Sequence, residues 1–389
     1  MPTVRPLLLL LHCCAMIAGH ATHEGTARYR GRFPKLREAQ HFRQAETVPG
    51  AGEWWMSSLG LGTYLGQTDD ASDRHYCDAI QNALRSGINV LDTAINYRHQ
   101  RSERNIGESL RDLFSSGELH RDEIVVCTKA GFLPFDSVLP PDPRAYFKSE
   151  YIDSGILDPK ELAGGMHCMH PKYLRDQLER SRRNLGLATI DVFYVHNPES
   201  QLGQVTSETF ISRLKQAFRM LEDATREGLI QYYGIASWNA FRVGRSEQGY
   251  MNLETCASIA RELAGERHHF RFIQMPFSLA MPEAWAANSQ PVLKRNTCAL
   301  EAAARLGVAV VGSATLSQGQ LVDGLPGALA QKLGMTNDAA RAVQFARSAP
   351  GLTTSLIGMG RPEHVAENLR VAEHPPMPAD AWEALFTRA

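Results

Sequence analysis

Apolar runs alternate with amphipathic stretches along most of the chain. The runs are five to eight residues long and rich in Val, Ile and Phe, which is typical of strands buried on both faces of a parallel sheet. The stretches between them repeat apolar positions at helical spacing, and two end at Gly87 and Gly186, because glycine favours the residue that follows a helix. We identify eight runs, at residues 59–63, 88–93, 123–129, 190–196, 230–237, 270–275, 307–313 and 353–358.

Eight strands that alternate with eight helices predict an α/β protein with a (β/α)8 TIM barrel. A doubly wound sheet is the alternative, but no GxGxxG turn follows the first run. We expect one barrel domain over residues 57–372, preceded by a lead-in at 26–56 and followed by a tail or helix at 373–389.

The third run is separated from the next helix by a long segment, residues 130–170, rich in Pro, Gly and aromatic residues. Loops of this length are usually functional or disordered. Since the segment follows a strand on the rim where barrels carry their chemistry, we expect it to form a wall or lid of the site. Surface decoration is the alternative. The candidate wall residues are aromatic: Phe132, Phe135, Tyr146, Phe147 and Tyr151.

Composition narrows the possible partners. The 389 residues are 43% hydrophobic and 21% charged, which supports a large core and excludes a disordered chain. A formal net charge of -1 and the lack of a sustained basic stripe argue against a nucleic-acid partner. Seven cysteines without repeated CxxC spacing indicate reduced thiols rather than a disulfide framework.

The first 25 residues have the outline of a secretory signal: Arg5, an apolar stretch over residues 7–19 and small residues near Ala21. The apolar stretch is too short to span a bilayer, so we expect no membrane partner. The alternative is a non-native extension ahead of a true start at Met16. We expect a cytoplasmic protein, with export as the alternative if the segment is a signal.

Four polar residues mark the ends of consecutive strands. Asp92 ends the second run, Lys129 the third and His196 the fourth, while Tyr97 lies in the loop after the second. A barrel places its chemistry at the carboxyl ends of its strands. Each residue alone has an ordinary structural interpretation, such as a helix cap or a surface charge, but their coincidence on one rim favours a functional site.

This set suits protonation of a carbonyl oxygen while hydride reaches the carbonyl carbon. A free phenol has a pKa of about 10, too high for easy proton exchange near neutrality. A neighbouring ammonium lowers that pKa, and a carboxylate keeps the ammonium charged and in place. We therefore expect Asp92 to hold Lys129, Lys129 to lower the pKa of Tyr97, and His196 to orient the substrate oxygen.

Four motifs in this order resemble the aldo-keto reductases, which are NAD(P)-dependent (β/α)8 enzymes: LGLGTYLG at 59–66, LDTAINY at 91–97, CTKAG at 127–131 and FYVHNPE at 193–199. The resemblance extends over residues 57–369. It implies reversible reduction of a small-molecule aldehyde or ketone to an alcohol, and a catalytic tetrad of Tyr97, Asp92, Lys129 and His196.

The resemblance also implies cofactor contacts in the second half of the barrel. The nicotinamide carboxamide is expected at Ser237 and Gln274, with Ala236 departing from the family pattern. The adenosine end is expected at Glu367 and Asn368. The pyrophosphate loop SATLSQGQL, at 313–321, is expected to contribute Ser313, Leu316, Gly319 and Leu321.

Two further expectations concern the cofactor and metals. Arg361 lies in the adenosine loop, and its guanidinium suits the 2′-phosphate, so we expect NADPH, with NADH as the alternative. His167, Cys168 and His170 are spaced like metal ligands, but no matching pair is apparent elsewhere, so we expect no metal. The altered carboxamide clamp leaves open an alternative function, a cofactor-binding sensor or interaction protein with little turnover.

Overall fold

A computed structural model describes residues 16–386, and eight parallel strands within them close into a barrel. Each strand pairs with its neighbours in chain order, and β8 closes against β1. The predicted (β/α)8 fold is confirmed. The strands are β1 (Leu59–Gly62), β2 (Val90–Asp92), β3 (Val125–Ala130), β4 (Ile190–His196), β5 (Ile230–Ala236), β6 (Phe270–Pro276), β7 (Ala309–Ser313) and β8 (Leu352–Gly358).

Eight principal helices follow the strands and cover the outside of the barrel. Two of them end as the sequence predicts. Gly186 follows α3 in the left-handed conformation with φ of 68°, and Gly87, with φ of 112°, comes one residue after the C-cap of α1. The helices are α1 (Asp70–Arg85), α2 (Arg101–Ser115), α3 (Pro171–Leu185), α4 (Ser207–Arg226), α5 (Leu253–Ala264), α6 (Ala299–Arg305), α7 (Asp338–Ser348) and α8 (Pro362–Ala372).

Shorter elements fill the connections and the ends of the chain. Short helices span His23–Gly31, Pro34–Glu38, Pro143–Phe147, Glu283–Ala286, Gly327–Leu333 and Ala379–Glu383, and a π-helical turn spans Lys148–Asp153. Two antiparallel ribbons pair Phe42–Arg43 with Met56–Ser57 and Gln290–Val292 with Arg295–Thr297. Short 3-10 turns span Ala51–Glu53, Tyr97–Gln100, Arg121–Glu123, Pro159–Glu161, Pro198–Gln201, Gly265–Arg267 and Ser317–Gly319.

The segment before β1 closes the amino end of the barrel. Trp54 packs there against Phe272 from the barrel interior, with ring centroids 6.2 Å apart. The backbone N–H of Ala21 donates to Asp191 at 2.7 Å, and the same carboxylate accepts from Arg121 at 2.7 Å. Residues 16–25 of the expected signal or extension therefore pack onto the barrel, whereas residues 1–15 lie outside the described part of the chain. Within residues 16–386, no helix is both long and apolar enough to cross a membrane.

The long segment after β3 only partly forms the expected wall. Phe132 lines the central cavity, but the other aromatic side chains pack on one another instead, with the rings of Phe135 and Phe147 stacked 4.7 Å apart. Tyr151 extends this cluster to Tyr173 on α3. The expectation was wrong for Phe135, Tyr146, Phe147 and Tyr151, because these rings gain burial by packing on each other and on the helix.

Candidate active site

The carboxyl ends of the strands open into a cavity of about 1010 Å³. Asp92, Tyr97 and His196 line one end of it, and side chains of α8 line the other. The size lies at the upper end of the range for small-molecule sites. The amino end of the barrel is closed, so a ligand can reach the residues predicted from the sequence through this cavity at the carboxyl rim.

Asp92, Lys129 and His196 at the strand ends lie together with Tyr97 at the base of the cavity. Lys129 is fully buried, and its Nζ donates to Asp92 Oδ1 at 2.5 Å and to the Thr93 carbonyl at 2.8 Å. The same Nζ lies 4.9 Å from the centroid of the Tyr97 ring. The Tyr97 and His196 rings meet edge to face, with centroids 5.9 Å apart. A buried cation therefore lies between a carboxylate and a phenol, as the sequence predicts.

Burial, rather than the ammonium of Lys129, decides in which direction the pKa of Tyr97 shifts. Burial raises the pKa of this phenol, the charge of Lys129 lowers it and Asp92 raises it, and the pKa lies above its ordinary value. The expectation of a net lowered pKa was therefore wrong, because desolvation of the phenolate exceeds the attraction of the cation. A phenol of this kind holds its proton at neutral pH, as a proton donor must.

The ammonium of Lys129 keeps its charge despite burial. Burial acts to lower the pKa of Lys129, but the contacts with Asp92 and Tyr97 together outweigh it, and the pKa lies above its usual value. The arrangement therefore presents a fixed positive charge beside the phenol oxygen.

His196 is a neutral imidazole in this setting. Burial first, and then the charge of Lys129, hold the pKa of His196 well below its usual value. Its Nδ1 is buried and has no hydrogen-bond partner among the described residues. A neutral ring can donate one hydrogen bond to a substrate oxygen without competing with Tyr97 for the proton.

The structure assigns His167 a supporting role that the sequence did not indicate. Its Nε2 hydrogen-bonds the backbone carbonyl of His196 at 2.7 Å, and its Nδ1 meets the Gln201 amide at 3.0 Å. Both ring nitrogens are thus used in fixing the end of β4. No group of three or more His, Cys, Asp or Glu able to hold a metal occurs within residues 16–386.

A second supporting residue, Arg98, directly follows Tyr97. Residues 98–100 all have positive φ, at 47°, 54° and 70°, a conformation that costs about 1 kcal/mol or more per non-glycine residue. The buried Arg98 guanidinium holds this turn by hydrogen bonds to Asp73 at 2.6 Å and Asn105 at 2.8 Å. The only sequence signal for this role was an arginine beside the tyrosine.

Most of the expected cofactor residues line the cavity. The Ser237 hydroxyl is buried without a partner among the described residues, so it remains free to bind a polar ligand group. Gln274 also lines the cavity, but its Nε2 donates to Asp92 Oδ2 at 2.7 Å. The remaining expected residues on the cavity wall are Ser313, Leu316, Gly319, Glu367 and Asn368.

Two expected cofactor residues lie elsewhere. Leu321 and Arg361 are not on the cavity wall, and Arg361 is exposed at the N-cap of α8. The basic groups that line this end are His364 and Arg370 on α8 and His374 just beyond it. Residues before and at the start of α7 complete this end, and the sequence analysis missed them: Gly334, Met335, Thr336, Asn337, Ala339 and Ala340.

Comparisons with known proteins agree with the fold and the motifs. The model of the Aldo/keto reductase family matches residues 58–324. D-threo-aldose 1-dehydrogenase of Pseudomonas sp is 30% identical over 166 residues, which cover 43% of this chain and 45% of that protein. NADH-specific methylglyoxal reductase of Escherichia coli strain K12 is 26% identical over 190 residues, covering 48% and 49%.

Solved structures give the same fold. An aldo-keto reductase from Klebsiella pneumoniae in complex with NADPH superposes with a TM-score of 0.57 at 17% identity, covering 89% of this chain and 95% of that one. With the family model matching more than half of the chain, the assignment rests on sequence as well as on fold. The chain belongs to the aldo/keto reductase family of oxidoreductases.

Proposed function

We propose that the protein reduces an aldehyde or ketone to an alcohol, reversibly, with NADPH as the hydride donor and Tyr97 as the proton donor. The observation that carries this proposal is the buried ammonium of Lys129 held between Asp92 and the Tyr97 ring. Removing a charged group fully from solvent is costly, and here that group lies beside Tyr97, a phenol on the wall of a ligand-sized cavity.

The residues present fit a nicotinamide dinucleotide. When bound, that cofactor supplies the hydride from C4 of its nicotinamide. The unpartnered Ser237 hydroxyl, with Gln274, would hold the carboxamide, and Ser313, Leu316 and Gly319 would face the diphosphate. Glu367 and Asn368, which line the far part of the cavity, would contact the adenosine.

The chain's own residues account for the proton. Tyr97 holds its proton at neutral pH, because burial raises the pKa of its hydroxyl. Neutral His196 donates a hydrogen bond that fixes the substrate oxygen beside that hydroxyl. As the proton leaves, negative charge develops on the phenol oxygen, and the neighbouring Lys129 ammonium stabilises it. Asp92 keeps the ammonium in place.

The preference for NADPH is part of this proposal and rests on cations near the adenosine end. Arg370, on α8, lines the cavity there. Arg361, at the N-cap of the same helix, is exposed and does not line the cavity. Either guanidinium suits a phosphate group. Relatives offer both precedents, an NADPH complex and an NADH-specific enzyme. Steady-state constants for both cofactors, with Arg361→Ala and Arg370→Ala compared, test the preference, and equal use of NADH and NADPH by the wild type refutes it.

A cytoplasmic location is likewise proposed, and the five cysteines of the described residues, all unpaired, support it. Sequencing the amino terminus of the mature protein tests this: a chain cut near residue 21 would indicate export.

The reductase activity itself is tested by mixing the protein with NADPH and a panel of aldehydes and ketones and following absorbance at 340 nm. Turnover of any member supports the proposal. Tight NADPH binding with no turnover would instead favour the cofactor-binding sensor.

A further inference from the structure

The turn that follows Tyr97 is held by a second set of contacts. Residues 98–100 have positive φ, and a backbone strained in this way persists only where its surroundings hold it. Gln100 ends the turn and is 2% exposed. Its Nε2 donates to the Phe135 carbonyl at 2.9 Å, and its Oε1 accepts from Asn184 Nδ2 at 3.0 Å. The turn is thus tied to the long segment after β3 and to α3.

The long segment also contacts the middle of this turn. The backbone N–H of Ser137 donates to the His99 carbonyl at 2.8 Å. The rings of Phe135 and His99 meet edge to face, with centroids 5.3 Å apart, and Phe135 is itself stacked on Phe147. These aromatic rings, which do not line the cavity, therefore support the turn that begins at Tyr97.

Glu103, on α2, joins the same turn to the strand of Lys129. The side chain of Glu103 is fully buried; its Oε1 accepts from the Thr128 hydroxyl at 2.7 Å, and its Oε2 accepts from Asn184 Nδ2 at 2.8 Å. Asn184 thereby donates to both Glu103 and Gln100. Thr128 directly precedes Lys129 on β3, so Thr128 is anchored outside the barrel while the next side chain points into it. One buried carboxyl group connects the strand of the ammonium with the turn of the phenol.

A carboxyl group is a costly way to fill this space. The two donors to Glu103 are neutral side chains, and burial raises the pKa of this carboxyl group. An apolar residue of similar volume would pack there at lower cost. What the carboxyl group adds is direction, because its two oxygens hold two donors at fixed positions.

We propose that Glu103 is a positioning residue, which fixes the Lys129 ammonium relative to the Tyr97 hydroxyl through the strand of the first and the turn after the second. Lys129 Nζ lies 4.9 Å from the centroid of the Tyr97 ring, and a misplacement of about 1 Å can cost on the order of 10²-fold in rate. Glu103 does not line the cavity, so it acts only through these contacts. The inference rests on the proposed reductase function.

Two variants of Glu103 test the proposal in the full-length protein. Glu103→Leu removes both acceptor oxygens. Glu103→Gln keeps the shape, and its amide can accept from Asn184 and donate to the Thr128 oxygen. Glu222→Leu is the matched control, because Glu222 on α4 is another carboxylate with low exposure, 4%, that accepts from a buried hydroxyl, that of Tyr233, at 3.0 Å and does not line the cavity.

The kinetics are measured with NADPH and an aldehyde that the wild type reduces. We expect Glu103→Leu to lower kcat about 10- to 100-fold and to leave KM for NADPH within about twofold of the wild type. The solvent deuterium isotope effect on kcat should rise, because proton transfer from Tyr97 becomes slower. Glu103→Gln should keep at least about half of the wild-type kcat. Glu222→Leu should lose stability but change neither kcat nor the isotope effect.

A wild-type kcat in Glu103→Leu would overturn the positioning role while leaving the reductase function intact. Equal losses of kcat in Glu103→Leu and Glu222→Leu, or in Glu103→Leu and Glu103→Gln, would overturn it too.

If Glu103→Leu does not fold, Asn184→Ala decides, since Asn184 is only half-buried and its loss cuts the link to Gln100. A kcat about 3-fold lower supports the proposal, and a wild-type kcat overturns it. A wild type that reduces no aldehyde or ketone would instead overturn the reductase function, and this inference with it.

Discussion

Replacing Lys129 by methionine should damage the protein in two separable ways. The substitution keeps the length of the side chain but leaves Asp92 as an unpaired carboxylate that is only 3% exposed. Removing one partner of a buried ion pair costs about 3 to 5 kcal/mol. The same change unpairs the Thr93 carbonyl, while the Gln274 bond to the other carboxylate oxygen remains. We therefore expect the free energy of unfolding to fall by about 4 kcal/mol and carbonyl reduction to be lost.

The double variant Lys129→Met with Asp92→Asn separates stability from chemistry. An asparagine at 92 removes the buried charge and can still accept from Gln274, so at least ~2 kcal/mol of the loss should return. Reduction should not return, because no cation remains beside Tyr97. Lys215→Met, which breaks an exposed pair with Glu262, is the matched control and should cost under ~1 kcal/mol.

Urea unfolding followed by tryptophan fluorescence gives the stabilities, and loss of absorbance at 340 nm gives the rates. A single variant as stable as the wild type would contradict the buried ion pair. A double variant that reduces carbonyls at the wild-type rate would contradict the role of the cation beside Tyr97.

Three other outcomes follow from the site. His167→Leu should lower kcat about 10-fold, because it releases the backbone carbonyl of His196. KM for NADPH should stay unchanged, and His170→Ala is the control. An unaltered kcat would show that His167 does not support the site. Arg98→Met should cost about 2 to 3 kcal/mol of stability and raise KM for the carbonyl substrate, and a chain as stable as the wild type would show that the positive-φ turn does not need it. In the folded state the pKa values of Lys129 and Tyr97 both lie above their ordinary values. The folded state therefore binds these protons more tightly than the unfolded state, and the free energy of unfolding should fall as pH rises above about 10. A free energy of unfolding that rises in this range would contradict the direction of these pKa shifts.

The sequence was enough to predict the barrel and the position of its chemistry. Apolar runs flanked by helical patterns mark buried parallel strands, and polar residues such as Asp92 and Lys129 at the ends of such runs must share one rim. This rule needs no knowledge of side-chain contacts. It was enough to predict that Asp92, Lys129 and His196 lie near one another, with Tyr97 in the loop after β2 beside them.

Side-chain packing decided the features that were predicted incorrectly or missed. Phe135 turns to stack on Phe147 rather than on the cavity, and Arg361 points into solvent while Arg370 lines the wall. The pKa of Tyr97 depends on how completely the barrel excludes water from the phenol. The positions of charged residues in the sequence do not indicate this burial. The link from His167 to His196 joins residues 29 positions apart through a loop whose path is set by tertiary contacts.

The central claim is that the hydroxyl of Tyr97 gives the proton. Tyr97→Phe removes that oxygen and keeps the ring, so carbonyl reduction at saturating NADPH and aldehyde should fall by about 10²- to 10⁴-fold, while the Kd for NADPH measured by fluorescence titration stays within twofold of the wild type. A variant that keeps more than about a tenth of the wild-type rate would contradict the claim.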